Sequence, residues 1–135
     1  MNSQATLLLV DDDSDLLDGL SLILKRAGYI CHCAVSQAEA LQVVHEVEVD
    51  LIISDINLAG QSGLVMCERL KQESIMKDMP VVFLSGASIS DIIRRARAAG
   101  GTYYLRKPFD PEVLIELVEK ALFMPHLANN QTSHA

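Results

Sequence analysis

Two hydrophobic patterns alternate along the chain. Short, predominantly apolar segments, as in strands buried on both faces, occupy residues 6–10, 29–35, 50–54, 80–84 and 102–105. Apolar residues recur at helical spacing in the stretches between and after them, at residues 15–27, 37–48, 63–73, 89–99 and from 110 onward. Strands that alternate with helices predict βαβ units, a parallel sheet and right-handed crossovers.

Residues at the predicted helix ends support this division. Asp13 and Ser62 stand where a helix N-cap is expected, and Gly28 follows the first helix at a C-terminal position. Asp110 followed by Pro111 begins the last helix. Five such units fit an α/β fold of the flavodoxin-like (βα)5 type, a known arrangement with a doubly wound five-stranded parallel sheet in the order 2-1-3-4-5. The domain is expected to cover residues 1–123, and the polar residues 124–135 to form a flexible tail or the start of a linker.

Composition restricts the class of protein. The chain has 135 residues, about one domain, and half of them are apolar. Its formal net charge of −7 argues against direct binding of nucleic acid by this chain, because phosphate backbones repel an acidic surface. We find neither a signal peptide nor an apolar run long enough to cross a membrane. These features predict a cytoplasmic location without membrane contact.

The cysteines do not predict a metal site. Cys31 and Cys33 share one face of a strand, whereas His32 points to the other face. No second Cys/His cluster supplies the remaining ligands of a four-coordinate site, and three cysteines are not a disulfide framework. We therefore expect Cys31, Cys33 and Cys67 to be small buried thiols in a reducing compartment.

The informative polar residues follow the strands. The first strand ends in three aspartates beginning at Asp11, the third ends at Asp55, the fourth ends at Ser85, and Lys107 follows the fifth. The carboxyl ends of parallel strands lie at one edge, and the predicted order makes strands one and three neighbours at the switch point. We therefore expect Asp11, Asp12 and Asp55 to cluster there.

Such a cluster has a chemical rationale. Packed carboxylates repel each other, and a hard divalent cation such as Mg²⁺, with oxygen ligands, relieves that repulsion. Lys107 and the cation can neutralise a phosphoryl group, Ser85 can donate a hydrogen bond to it, and one carboxylate can act as the nucleophile. Each residue alone has an ordinary explanation, as a loop acid, a surface lysine or a helix cap. Their coincidence at four strand ends favours function.

These residues resemble the receiver domain of response regulators, the signalling proteins of two-component regulatory systems. The resemblance covers roughly residues 5–123, nearly the whole chain. The motifs that carry it are Leu-Leu-Val-Asp-Asp at residues 8–12, the segment around Asp55 at 50–60, Val-Phe-Leu-Ser at 82–85 and Tyr-Leu-Arg-Lys-Pro-Phe at 104–109. It implies a phosphorelay protein rather than an enzyme.

The resemblance also implies roles for the residues at the strand ends. Asp55 would accept a phosphoryl group from a sensor histidine kinase or phosphotransfer protein. Mg²⁺, for which Mn²⁺ could substitute, would be bound by Asp12 and Asp55, by the carbonyl of Asn57, and by Asp11 through a water. The Asn57 side chain would then be free to tune dephosphorylation.

The remaining roles concern the response to phosphorylation. Lys107 would contact the phosphoryl group, Ser85 would move towards it, and Tyr104 would turn inward. The bond between Lys107 and Pro108 resembles the family's cis peptide. The output surface would comprise the fourth strand, fourth helix, fifth strand and fifth helix. Ile92, Arg95 and Arg106 are predicted to meet a partner or a second copy of the chain there. A solvated basic helix face is the alternative.

The chain departs from the family at two points. Ala59 replaces a frequent proline in the loop after Asp55, which removes no ligand. The acidic run has three members, so Asp13 is the alternative metal ligand, although a helix cap is its expected role.

Other functions are compatible with parts of this pattern. A phosphatase of the haloacid dehalogenase type would use Asp11 as nucleophile in an Asp-x-Asp motif, but its later acidic motif and cap domain are missing. A flavodoxin-like cofactor site would place a phosphate beside three aspartates that repel it. A receiver fold that binds partners without phosphorylation is the third alternative.

Overall fold

The computed structural model describes residues 4–58, 60–72, 78–86 and 103–123. Its strands are Thr6–Val10 (β1), Ile30–Ala34 (β2), Leu51–Asp55 (β3), Asn57–Leu58 (β4), Gln61–Ser62 (β5), Val81–Ser85 (β6) and Tyr103–Arg106 (β7). Its helices are Ser14–Arg26 (α1), Gln37–Glu46 (α2), Gly63–Gln72 (α3) and Pro111–Phe123 (α4). The predicted helix at 89–99 and tail at 124–135 lie outside the described residues, so α4 is the predicted fifth helix.

The main sheet confirms the predicted topology. Five strands pair in parallel in the order β2-β1-β3-β6-β7, which is the order 2-1-3-4-5 among the strands of this sheet. The neighbouring pair β1 and β3 ends at Val10 opposite Ser54. The segment predicted only as a loop contains a short antiparallel pair, β4 and β5. Gly60 in the turn between them has φ +87°, a conformation that L-residues rarely adopt.

Two apolar layers cover the sheet because successive strand side chains point to opposite faces. On one face, α2 and α3 pack on strand residues that include Leu8, Ile52 and Phe83. On the other face, α1 and α4 pack on residues that include Leu9 and Ile53. Both faces of the central strands are thus buried, as their continuous apolar sequences predict.

Helix caps follow the sequence prediction. The Asp13 side chain accepts hydrogen bonds from the first turn of α1, and the Ser62 hydroxyl accepts from the amides of Leu64 (3.2 Å) and Val65 (3.4 Å). The Asp110 carboxylate accepts from the amide of Glu112 at 2.9 Å. Gly28 has φ +103° at the end of α1. These contacts fix where α1, α3 and α4 begin.

The cysteine prediction is correct for Cys67 and wrong for Cys33. All three thiols are free, with Cys67 buried, Cys31 half-buried and Cys33 exposed. The difference arises because β2 is an edge strand, whereas Cys67 lies on the inner face of α3. In the part of the chain that the structure describes, no helix has the length and apolar character to span a membrane.

Candidate functional site

The carboxyl ends of β1 and β3 bring three aspartates together. Carboxylate oxygens of Asp11, Asp12 and Asp55 all lie within 4.8 Å of one another. Asp11 is almost fully buried, Asp12 is exposed, and the Asp55 side chain is 13% exposed. The cluster is thus buried at Asp11 and exposed to solvent at Asp12.

Lys107 lies between two of these carboxylates. Its Nζ is 3.2 Å from Asp11 Oδ2 and 3.3 Å from Asp55 Oδ2. Its amide donates to the Ser85 carbonyl at 2.8 Å, and the bond to Pro108 is cis, as predicted. Burial lowers the pKa of Lys107, but the two carboxylates raise it by more, so the net shift is upward. The ammonium is therefore charged at neutral pH and available to an anion.

Asp11 is the most buried of the three acids. Its Oδ1 accepts from the Asp13 amide at 2.9 Å, and its Oδ2 from Lys107. Burial raises the pKa of Asp11, and the Asp13 amide and Lys107 lower it by less. Asp13 itself caps α1, in line with its expected role. The buried carboxylate of Asp11 therefore favours a neighbouring cation.

Asn57 lies just after the carboxyl end of β3, and Ser85 lies at the carboxyl end of the neighbouring β6. The Asn57 amide donates to Asp55 Oδ1 at 3.3 Å, and its side chain is exposed. Ser85, the last residue of β6, is buried opposite Arg106 in register. The structure thus brings Asn57 and Ser85 to the edge that holds the aspartates.

The predicted output residues are placed only in part. Tyr104 is half-buried against the α2–α3 layer beside Phe83, and Arg106 is exposed at the end of β7. Ile92 and Arg95 lie outside the described residues, as does Ala59.

Sequence reasoning missed a contact beneath Asp55. The buried Ser54 hydroxyl donates to the Asp55 carbonyl at 2.9 Å. A Cβ on Gly63 would lie 2.1 Å from that carbonyl oxygen, so only glycine fits there. A serine inside an apolar strand was a visible signal, but the approach of Gly63 to the same carbonyl depends on where α3 begins.

An apolar groove adjoins the site. A pocket of about 520 Å³ lies between α1 and the segment after β7. Its walls include Leu16, Gly19, Pro108 and Phe109. Lys107 also lines the pocket and contacts the acidic cluster, so it connects the two.

The donor set fits Mg²⁺. Among the described residues, these aspartates are the only group of three or more His, Cys, Asp or Glu side chains placed to hold an ion. Carboxylate oxygens are the ligands that hard divalent cations prefer, and an exposed side leaves room for waters and phosphate.

Comparisons with known proteins agree with this geometry. Residues 7–119 match the response regulator receiver domain family. The chain is 31% identical over 117 residues to the phosphate regulon transcriptional regulatory protein PhoB of Pseudomonas aeruginosa, covering 87% of this chain and 51% of that protein. It is 34% identical over 114 residues to the DNA-binding transcriptional regulator NtrC of Escherichia coli, covering 84% and 24%. The chain thus spans about half or less of these relatives.

The fold is shared with solved receiver structures. The chemotaxis response regulator CheY4 of Vibrio cholerae superposes with a TM-score of 0.84 at 30% identity, covering 89% of this chain and all of that one. A putative response regulator from Chloroflexus aurantiacus superposes with a TM-score of 0.84 at 35% identity, covering 89% of this chain and 98% of that one. The chain therefore belongs to the response regulator receiver domain family and is a phosphorylatable signalling switch of two-component systems.

Proposed function

We propose that Asp55 accepts the phosphoryl group in this domain, from a phosphohistidine on a sensor histidine kinase or phosphotransfer protein. The observation that carries this proposal is the position of Lys107, within 3.3 Å of both Asp55 and Asp11 in one acidic cluster. Asp55 is the more accessible of these two carboxylates. Of the two carboxylates that contact Lys107, Asp55 is therefore the one that an incoming phosphorus meets first.

The chemistry is a transfer between two nucleophiles. An oxygen of Asp55 forms a bond to phosphorus while the phosphorus–nitrogen bond breaks, and the electron pair stays on the departing imidazole. Lys107 contacts the phosphoryl oxygens and offsets the charge that gathers at this edge. Asp11, Asp12, Asp55 and the Asn57 carbonyl would hold Mg²⁺, or Mn²⁺ in its place. The bound ion would supply positive charge to the transferring group.

Phosphorylation changes the contacts of Lys107. The ion pair with Asp55 is replaced by contact with the phosphoryl group, which adds charge and acceptor oxygens. Ser85 then moves towards those oxygens, and Tyr104 turns inward beside it. This rearrangement would reach the predicted output surface at Arg106. Ile92 and Arg95, which we assign to the same surface, lie outside the described residues. That surface meets an output partner or a second copy of the chain.

The groove beside Lys107 is suited to the phosphodonor. Its lining is mainly apolar, and Lys107 is shared with the acidic cluster. A donor protein that places an apolar helix face there would bring its phosphohistidine over Asp55. Gly19 leaves open space in this groove, since nothing lies within 4 Å of a Cβ placed on it.

The setting of the domain is inferred from the whole chain. We place the receiver at residues 1–123 and a tail or linker at 124–135, in the cytoplasm. The net charge of −7 supports an output through protein contacts, without direct binding of nucleic acid by this chain.

Acetyl phosphate labelling tests the proposal. The wild-type chain should gain one phosphoryl group in the presence of Mg²⁺ and none in EDTA, and Asp55→Asn should gain none. Steady hydrolysis of phosphate esters, or labelling that persists in Asp55→Asn, would instead support the Asp11 phosphatase alternative. Partner binding that is unchanged in Asp55→Ala would support the alternative of a receiver fold that binds partners without phosphorylation.

A further inference from the structure

Ser54 places a hydroxyl between apolar strand neighbours. It is completely buried, and its neighbours in register are Val10 of β1 and Phe83 of β6. A buried hydroxyl requires a hydrogen-bond partner. Its Oγ donates to the Asp55 carbonyl at 2.9 Å, so the polar group in this layer is used to hold the backbone of the next residue.

Gly63 packs against the same hydrogen bond. A Cβ at Gly63 would lie 2.1 Å from the Asp55 carbonyl oxygen and 2.9 Å from Ser54 Oγ. The Gly63 amide also donates to the Ile56 carbonyl at 2.7 Å. The first residue of α3 therefore packs directly against the backbone on which the Asp55 side chain is carried.

Asp55 depends on such contacts because it lies at the end of a ladder. The pairing of β3 with β1 ends at Ser54, one residue before Asp55, whereas the pairing with β6 extends to Asp55 opposite Leu84. A small rotation of the Asp55 backbone would change the distance from its carboxylate to Lys107, now 3.3 Å.

We propose that Ser54 is a positioning residue for phosphoryl transfer. By donating to the Asp55 carbonyl against Gly63, it sets the direction from which the Asp55 carboxylate faces Lys107 and the acidic cluster. This inference rests on the proposed role of Asp55 as acceptor. Misplacing a reacting group by 1 Å can cost about a hundredfold in rate, and we expect about tenfold for the loss of one backbone contact.

Three variants separate positioning from packing. Ser54→Ala removes the hydroxyl, and Ser54→Cys fills the same space with a much weaker donor. Ser21→Ala is the matched control, because Ser21 is a buried serine on α1 whose hydroxyl contacts Cys31 and Cys33 of β2. The readouts are the rate of Asp55 phosphorylation by acetyl phosphate with Mg²⁺ and the thermal unfolding midpoint.

We expect Ser54→Ala to slow phosphorylation about tenfold. Ser54→Cys should unfold at the wild-type midpoint, but its phosphorylation rate should lie within about threefold of the Ser54→Ala rate, because a thiol is a weak donor. Ser21→Ala should keep the wild-type rate. Wild-type rates in Ser54→Ala, full recovery in Ser54→Cys, or an equal loss in Ser21→Ala would overturn the positioning role while leaving Asp55 as acceptor. A wild-type chain that is not labelled at Asp55 would overturn both.

Discussion

Lys107 and Lys71 are both partly buried, yet their surroundings shift their pKa values in opposite directions. Lys107 lies between Asp11 and Asp55, whose carboxylates raise its pKa above the ordinary value. Lys71, near the end of α3, donates to the Met79 carbonyl. Burial lowers the pKa of Lys71, and the opposing effect of Cys67 and Asp78 is smaller. The balance between burial and carboxylate contacts therefore distinguishes a lysine prepared for an anion from one that ties α3 to the segment before β6.

Helix α3 connects the two regions, since it begins at Gly63 beside Asp55 and contains Lys71 near its other end. Gly63→Ala should have the largest effect on stability. The added Cβ meets backbone that cannot move freely, and we expect the free energy of unfolding to fall by about 3 kcal/mol. Denaturant unfolding measures this loss.

Gly19→Ala is the matched control for Gly63→Ala. Nothing lies within 4 Å of its added Cβ, and α1 should gain up to about 1 kcal/mol from the better helix former. Equal stability changes at the two glycines would contradict the close approach of α3 to Asp55.

Lys107→Met tests the carboxylate region. Without a cation, the buried Asp11 loses its charged partner, and we expect a loss on the order of 2 kcal/mol. Because repelling carboxylates then remain, Mg²⁺ should stabilise the variant more than the wild type. Unfolding midpoints with and without Mg²⁺ measure the difference, and an equal response of both chains to Mg²⁺ would contradict the role given to Lys107.

Cys67 tests the environment of Lys71 through pH. Burial raises the pKa of Cys67 from about 9 to about 12, with Lys71 lowering it by less. The folded thiol therefore stays protonated while the unfolded thiol ionises, so the stabilisation is complete below about pH 9 and is lost as the pH rises towards 12. Relative to Cys67→Val, the wild-type free energy of unfolding should fall by about 1.4 kcal/mol per pH unit above 9. Parallel pH profiles for the two chains would show that Cys67 is accessible to water.

Lys71→Met should have the smallest effect. The variant loses one hydrogen bond to the Met79 carbonyl but also removes the cost of burying a charge, and we expect a change below about 1 kcal/mol. Phosphorylation of Asp55 should proceed at the wild-type rate, in contrast to Lys107→Met. A loss of phosphorylation in both lysine variants would remove the distinction between the two regions.

Much of the site at the carboxyl ends of the strands could be predicted from the sequence, because the end of an apolar run is a local pattern. Apolar runs end at Asp11, Asp55 and Ser85, and Lys107 follows the last run closely, so the sheet order places these residues together. The helix caps at Asp13, Ser62 and Asp110 also depend only on neighbouring residues.

Contacts between distant segments could not be predicted in the same way. The approach of Gly63 to Ser54, the tie from Lys71 to Met79 and the exposure of Cys33 depend on how α3 and β2 are placed in three dimensions. The β4–β5 pair has two residues per strand, too few to show an alternating pattern.

Locating the phosphoryl group by peptide mass spectrometry tests the central claim most directly. After incubation of the wild-type chain with acetyl phosphate and Mg²⁺, the mass of one phosphoryl group should be found on Asp55 alone. A phosphoryl group on Asp11 or Asp12, with Asp55 unmodified, would contradict the assignment of Asp55 as the acceptor.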